Sequence, residues 1–306
     1  MTIRIILLLS ISLLPLLAQP ELAFKPVKDW GTLPADYVSG AGMAVAVAVD
    51  GSVWYYTRGS HPVIQFTNDG HLLQAWKENK ELSNHQGAAH GMGIGPDGGV
   101  WLVDRETHTI FKFSKSGRTL LTIGSFAAKQ GTDDTPYAFN RPAGIAFDSR
   151  GNVYVADGYL NTRVAKYRRN GDYITHWGSK GDAPGQFNLV HGLTIDDQDR
   201  VYVADRGNKR VQVFNKDGKF LAKWDGLGTP WNLTYDYREK VIWMCDGDLG
   251  RVQKLSLDGK VLGGFGSEGE APGQLRQVHS LAVDAEGAIY TAETVNQRIQ
   301  KFALSR

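Results

Sequence analysis

Short apolar runs alternate with polar turns along almost the whole chain. The pattern is complete over residues 187–214, FNLVHGLTIDDQDRVYVADRGNKRVQVF. Leu193 and Ile195 alternate with other side chains up to a polar turn, a second run over 201–204 ends at Asp205-Arg206, and a third over 211–214 ends at Asp217-Gly218. Period-two alternation broken by tight turns predicts a meander of short antiparallel strands. The unit recurs from about Gly40, Ala89, Pro142, Trp231 and Val278, and outer strands with an aromatic-glycine ending complete it, as in ITHWGSKG from Ile174 and LAKWDG from Leu221. Repeats of roughly 40 to 50 residues with four strands each are propeller blades rather than solenoid coils. The expected fold is all-β, a six-bladed β-propeller. The last unit runs out at Phe302 after three strands, while VKDWG, from Val27, carries the outer-strand ending without a repeat of its own. The N-terminal segment is therefore expected to complete the last blade and close the ring.

Composition narrows the class. With 306 residues and 42% hydrophobic content the chain can bury a large core, and a net charge of +2 without a Lys/Arg run lacks the footprint of a nucleic-acid binder. Residues 1–18 read as a secretory signal: Arg4 is the positive start, 5–17 the apolar stretch, and Ala18 a small residue suited to cleavage. An apolar stretch of about 13 is short for a membrane span of roughly 20. The domain organisation is thus a signal over 1–18 and one propeller over 19–306, exported to the periplasm or the extracellular space, with no stable membrane insertion after cleavage. Cys245 is the single cysteine, so an intrachain disulfide is unavailable. The longer connections, 127–140 and 178–187, are expected to gather on one functional face.

Repetition marks scaffold, and departures from it mark function. Asp157, Asp205 and Asp246 each close a second strand, and Arg163, Arg210, Arg251 and Arg298 each open a third, which predicts inter-strand ion pairs. The position two before the first core Met, Ile or Leu of each inner strand behaves differently. It holds Ala41, His90, Ala143, His191, Trp231 and His279 in turn. Inner strands line the central channel, so His90, His191 and His279, on alternate blades, converge at one height from directions about 120° apart. Three neutral imidazoles suit zinc, and three protein ligands leave a fourth position open for water or substrate. Histidines 61, 71, 85, 108 and 176 fall outside this register and read as surface or loop residues, with His61 alone near the site.

These motifs resemble NHL-type propellers, and over nearly the whole chain after residue 18 they resemble the lyase domain of the peptidylglycine α-amidating enzyme, peptidyl-α-hydroxyglycine α-amidating lyase. The matching runs are HGMGI (His90), VHGLTI (His191), VHSLAV (His279), DGYLNTR (Tyr159), YYTRG (Arg58) and VADRGN (Arg206). The resemblance implies Zn2+ on the three histidines, Tyr159 as the proton-transfer group, and Arg58 and Arg206 as functional arginines, one or the other of which pairs with the substrate carboxylate. It implies a peptide or small-molecule substrate ending in an α-hydroxyglycine-like group, whose N–C bond breaks to give an amide and glyoxylate. Arg105 shares the repeat position of Arg58 and Arg206, so an arginine there is a weak signal by itself.

The chain also departs from that family. The family's structural Ca2+ uses an Asp directly after the third histidine; Ser280 stands there, leaving backbone carbonyls such as that of Met92 for an ion that favours charged oxygen ligands. The family's disulfides and its copper-dependent hydroxylating domain have no counterpart in this sequence. Two other readings fit the same ring: a metal-dependent hydrolase or lactonase, and a non-enzymatic propeller that binds a protein or glycan partner. The oligomeric state and the natural substrate are not written in the sequence.

Overall fold

The computed structural model describes residues 19–77, 82, 88–124 and 130–305. The signal segment, His85 and part of the 127–140 connection lie outside the described residues. Six four-stranded antiparallel sheets are arranged as a closed ring of blades. The inner strands are Gly42–Val47, Ala89–Ile94, Gly144–Phe147, Val190–Ile195, Pro230–Asp236 and Val278–Val283, and each packs against the inner strand of the next blade, the last against the first. Among the described residues no helix is long and apolar enough to cross a membrane.

The burial of each strand follows from its place in the blade. Second strands such as Val153–Asp157 and Val201–Asp205 are buried at every position, because both sheet faces are covered by neighbouring blades. Outer strands such as Phe220–Asp225 alternate between exposed and covered positions. Between the third and fourth blades, Tyr154, Val164, Leu193, Val203 and Phe214 form one of the apolar layers that hold the ring together. The turns that join first to second strands share a staple. Tyr154, Tyr202 and Tyr290 donate their hydroxyls to Asp148, Asp196 and Asp284 at 3.1, 3.0 and 2.9 Å, which satisfies buried carboxylates that also cap the turn amides.

The ring closes through the N-terminal segment, as the sequence predicts. Phe24–Pro26 pairs antiparallel with Arg298–Leu304, in the register Phe24 to Leu304 and Pro26 to Phe302. The strand is the outermost of its sheet, where a proline without an N–H is tolerated. Val27, the first residue of VKDWG, still donates its amide to the Lys301 carbonyl at 2.8 Å, and the chain then turns away at Asp29, which takes a left-handed φ of 55°. Trp30 then wedges between Phe66 and Tyr290, at ring-centroid distances of 5.3 and 5.1 Å, and seals the seam between the last and first blades.

The repeated Asp/Arg positions are scaffold, with one correction. Arg163 pairs with Asp157 at 3.0 Å, both side chains fully buried, Arg210 with Asp205 at 2.7 Å, and Arg298 with Glu293 at 2.9 Å. The rest of each guanidinium holds the connection leading into its blade: Arg163 donates to the carbonyls of Asp133, Thr135 and Ala138, and Arg210 to those of Asp182, Ala183 and Gln186. Arg251 and Asp246 do not form the expected pair. The connection into the fifth blade is short, so there is no loop to hold; Arg251 turns to Glu21 at 2.7 Å, and Asp246 accepts the amides of Thr229, Asp248 and Leu249.

Candidate metal centre

The histidines sit at the second residue of the inner strands in blades two, four and six, with relative exposures of 1, 2 and 5% for His90, His191 and His279. Their ring centroids are 4.6 to 4.9 Å apart in all three pairs. One ligand atom from each lies within 4.8 Å of the others. The outward ring nitrogens are fixed alike. Nδ1 of His90 donates to the carbonyl of Ala143, Nδ1 of His191 to that of Trp231 and Nδ1 of His279 to that of Met43, each at 2.6 Å. The Ala41 carbonyl, which stands at the equivalent place in blade one, is taken by the Arg58 amide at 3.0 Å. With Nδ1 as donor, the neutral ring carries its lone pair on Nε2.

Burial holds all three rings in that neutral form. It lowers the pKa of His279 to about 3 and those of His90 and His191 well below the ordinary value, and nearby histidines and arginines push in the same direction. Three neutral imidazoles with their outer nitrogens tied to carbonyls form a donor set that fits zinc and leaves a position open.

Tyr159 closes over this set. Its hydroxyl lies 3.1 Å from Nε2 of His90 and 3.1 Å from Nε2 of His191. Gly158 makes the approach feasible, since a Cβ there would stand 1.9 Å from the carbonyl oxygen of Val190. Arg58 reaches in from the first blade, with Nε and Nη2 both donating to the carbonyl of Ala89, next to His90, at 3.2 and 3.1 Å. Arg206 opens a short turn, Arg206–Asn208, and lays its guanidinium on the Trp231 ring at 3.5 Å. Burial lowers the pKa of both arginines, and for Arg58 the neighbouring Arg105 adds to the effect. The structure thus gathers all six residues singled out in the sequence.

Two further residues complete the site. Arg105, at the slot it shares with Arg58 and Arg206, sits over the Tyr159 ring at 5.2 Å and is held by Glu106 at 2.6 Å. Trp231 holds His191 through its carbonyl and forms a wall 5.6 and 5.7 Å from the His191 and His279 rings. The signal for both was their repeat position, which shows height along the channel but not which way a side chain turns. His61 lies in the loop between Val53–Thr57 and Val63–Phe66, as expected, but is buried there against Ser60, Asp36 and Tyr37. Ser280 is buried as well, and its hydroxyl accepts the Val45 amide at 3.4 Å, linking blade six to blade one. A cavity of about 1230 Å³ opens at the other end of the channel and is lined by residues such as Asp50, Asp148 and Tyr237 but none of the three histidines.

A six-bladed β-propeller with a buried triad of imidazoles at one end of its channel is the class that fold and site define. Residues 139–167 and 187–214 match the NHL repeat. NHL repeat-containing protein 3 of Homo sapiens is 31% identical over 286 residues, 87% of this chain and 80% of that protein. The chain belongs to this family of NHL repeat-containing proteins. Peptidyl-glycine alpha-amidating monooxygenase B of Xenopus laevis is 31% identical over 207 residues, 61% of this chain but 23% of that longer protein. A gluconolactonase of Xanthomonas campestris superposes with a TM-score of 0.65 over 94% of this chain and 99% of its own, at 14% identity, a likeness of fold alone.

Proposed function

We propose that the chain is a zinc-dependent lyase that cleaves the N–C bond of a carbinolamide, a peptide or small molecule ending in an α-hydroxyglycine-like group, to an amide and glyoxylate. The observation that carries this reading is the Tyr159 hydroxyl, 3.1 Å from Nε2 of two of the three mutually facing histidines. The similarity to an amidating enzyme supports it. His90, His191 and His279 would hold Zn2+, which when bound supplies Lewis acidity that lowers the pKa of a substrate hydroxyl. Arg58 and Arg206 flank the triad, and a guanidinium fork matches the two oxygens of the carboxylate next to the scissile bond. The hydroxyl loses its proton, the carbon–oxygen double bond forms, the carbon–nitrogen bond breaks, and the amide nitrogen takes a proton. Tyr159 is the group placed to move that proton. A hydrolase would call for a carboxylate base beside the triad, and Glu106 is already committed to Arg105 and Arg141 at 2.6 and 3.0 Å. The proposal includes export, with the protein working outside the cytoplasm once residues 1–18 are removed. The test is glyoxylate release from α-hydroxyhippurate by zinc-loaded protein. No release above a metal-stripped control would set the lyase reading aside.

A further inference from the structure

Positive charge around the triad exceeds what one substrate carboxylate neutralises. Arg58 and Arg206 are partly buried, and among the described residues no carboxylate lies within 4.0 Å of either guanidinium; Arg58 meets the Ala89 carbonyl, and Arg206 meets the Trp231 face and the Tyr159 hydroxyl. Arg105 has a carboxylate partner, but Glu106 is shared, with one oxygen on Arg105 at 2.6 Å and the other on Arg141 at 3.0 Å. One negative charge therefore stands against two positive ones. Nε and Nη2 of Arg105 face Glu106, and Nη1 carries no hydrogen bond among the described residues. Arg105 also raises the positive potential at Arg58 and at all three histidines. Like charges held together out of bulk water are costly unless an anion joins them.

The arginines form two groups across the ring. Arg58 and Arg105 come from the adjacent first and second blades, and Arg206 comes from the fourth, backed by the Trp231 wall of the fifth. Arg206 lies within electrostatic and hydrogen-bonding reach of Tyr159. The carboxylate one bond from the carbinol carbon lies next to the Tyr159 hydroxyl, which suits Arg206, the arginine that reaches that hydroxyl, whereas Arg105 meets the face of the ring. A single carboxylate there leaves Arg58, and the Nη1 edge of Arg105 that Glu106 does not hold, without an anion among the described residues.

We infer that the site takes a substrate with two anionic groups: the carboxylate beside the scissile bond on Arg206, and a second acid, on the acyl side of the amide, between Arg58 and Arg105. Arg105 is the specificity-determining residue for the second group. The orientation of the substrate rests on the lyase reading, but preference for a dianion does not depend on turnover. The substrate class is then an N-acyl α-hydroxyglycine whose acyl part carries an acid, such as a dicarboxylic acyl group or an acidic penultimate residue.

Calorimetric titration of the zinc-loaded protein with N-succinylglycine and N-acetylglycine compares a dianion with a monoanion of the same backbone. The expected result is succinyl affinity at least about tenfold higher, the size of one charge-assisted contact, and weakened by salt. Arg105→Gln is expected to bring the ratio near one, and Arg105→Lys, which keeps the charge, to retain part of it. Equal affinities in the wild type, or a ratio undiminished in a folded Arg105→Gln protein, overturn the inference. Glyoxylate assays with succinyl- and acetyl-α-hydroxyglycine separate the two readings. Preference in binding with no glyoxylate from either compound removes the lyase and leaves the dianion site. Glyoxylate released from both with equal kcat/KM removes the dianion site and leaves the lyase.

Discussion

Nδ1 of His191 lies 2.6 Å from the carbonyl oxygen of Trp231, a residue of the next blade. The bond makes Nδ1 the protonated nitrogen and turns Nε2, as a bare lone pair, toward the other two histidines. The same arrangement at His90 and His279 gives three ligands of one tautomer, each oriented by the backbone of a neighbouring blade. A rigid ring of sheets thereby prepares the donor atoms before any ion arrives.

The first consequence concerns metal content. Wild-type protein purified with zinc present is expected to carry about one zinc per chain, since four-coordinate sites take three protein ligands plus water. His191→Ala is expected to lose most of it. Elemental mass spectrometry measures both, and undiminished zinc in the variant would falsify the assignment of the triad.

Tyr159→Phe separates binding from chemistry. The aromatic ring remains in place beside Arg105 while the hydroxyl near His90 and His191 is lost. Glyoxylate release is expected to fall by at least about a hundredfold with zinc content unchanged. Full turnover in a zinc-loaded variant would remove Tyr159 from the proton transfer.

Acid is expected to destabilise the metal-free protein through its histidines. Burial lowers the His279 pKa to about 3, against an ordinary value near 6.5 in the unfolded chain. Between those values the unfolded chain binds a proton that the native chain does not, so stability is full above the upper value and falls as pH drops toward the lower. At pH 5 the loss from this one ring is about 2 kcal/mol. Urea denaturation of metal-stripped wild type and His279→Asn at pH 8 and pH 5 isolates it. Equal pH sensitivity of the two proteins would contradict it.

The two kinds of repeat arginine should differ sharply. Arg163 and Asp157 are both 0% exposed, and Arg163 also holds three loop carbonyls, so Arg163→Ala strands a buried carboxylate and is expected to cost about 3–5 kcal/mol. Arg251 pairs with Glu21, whose side chain is 64% exposed, and its replacement by Ala is expected to cost less than about 1 kcal/mol. Denaturant midpoints measure both, and similar losses would refute the distinction.

Much of this molecule is legible in its order of residues. Period-two alternation, turn residues and the repeat length are local properties, and together they specify blades, their number and the closure by the N-terminal segment. Because each blade repeats one template, the template also shows height along the channel, so His90, His191 and His279 could be placed at one level before any coordinates. What it could not show is which way a side chain turns at that level, or what meets it. The carbonyls that orient the histidines lie 53, 40 and 236 residues away along the chain. Arg251 leaves Asp246 for Glu21 because the loop that its counterparts hold is missing in that blade, and Arg105 joins the site because Glu106 and the Tyr159 ring hold it there. These outcomes depend on contacts between different blades, which come into being only when the ring closes, and no short-range pattern encodes them.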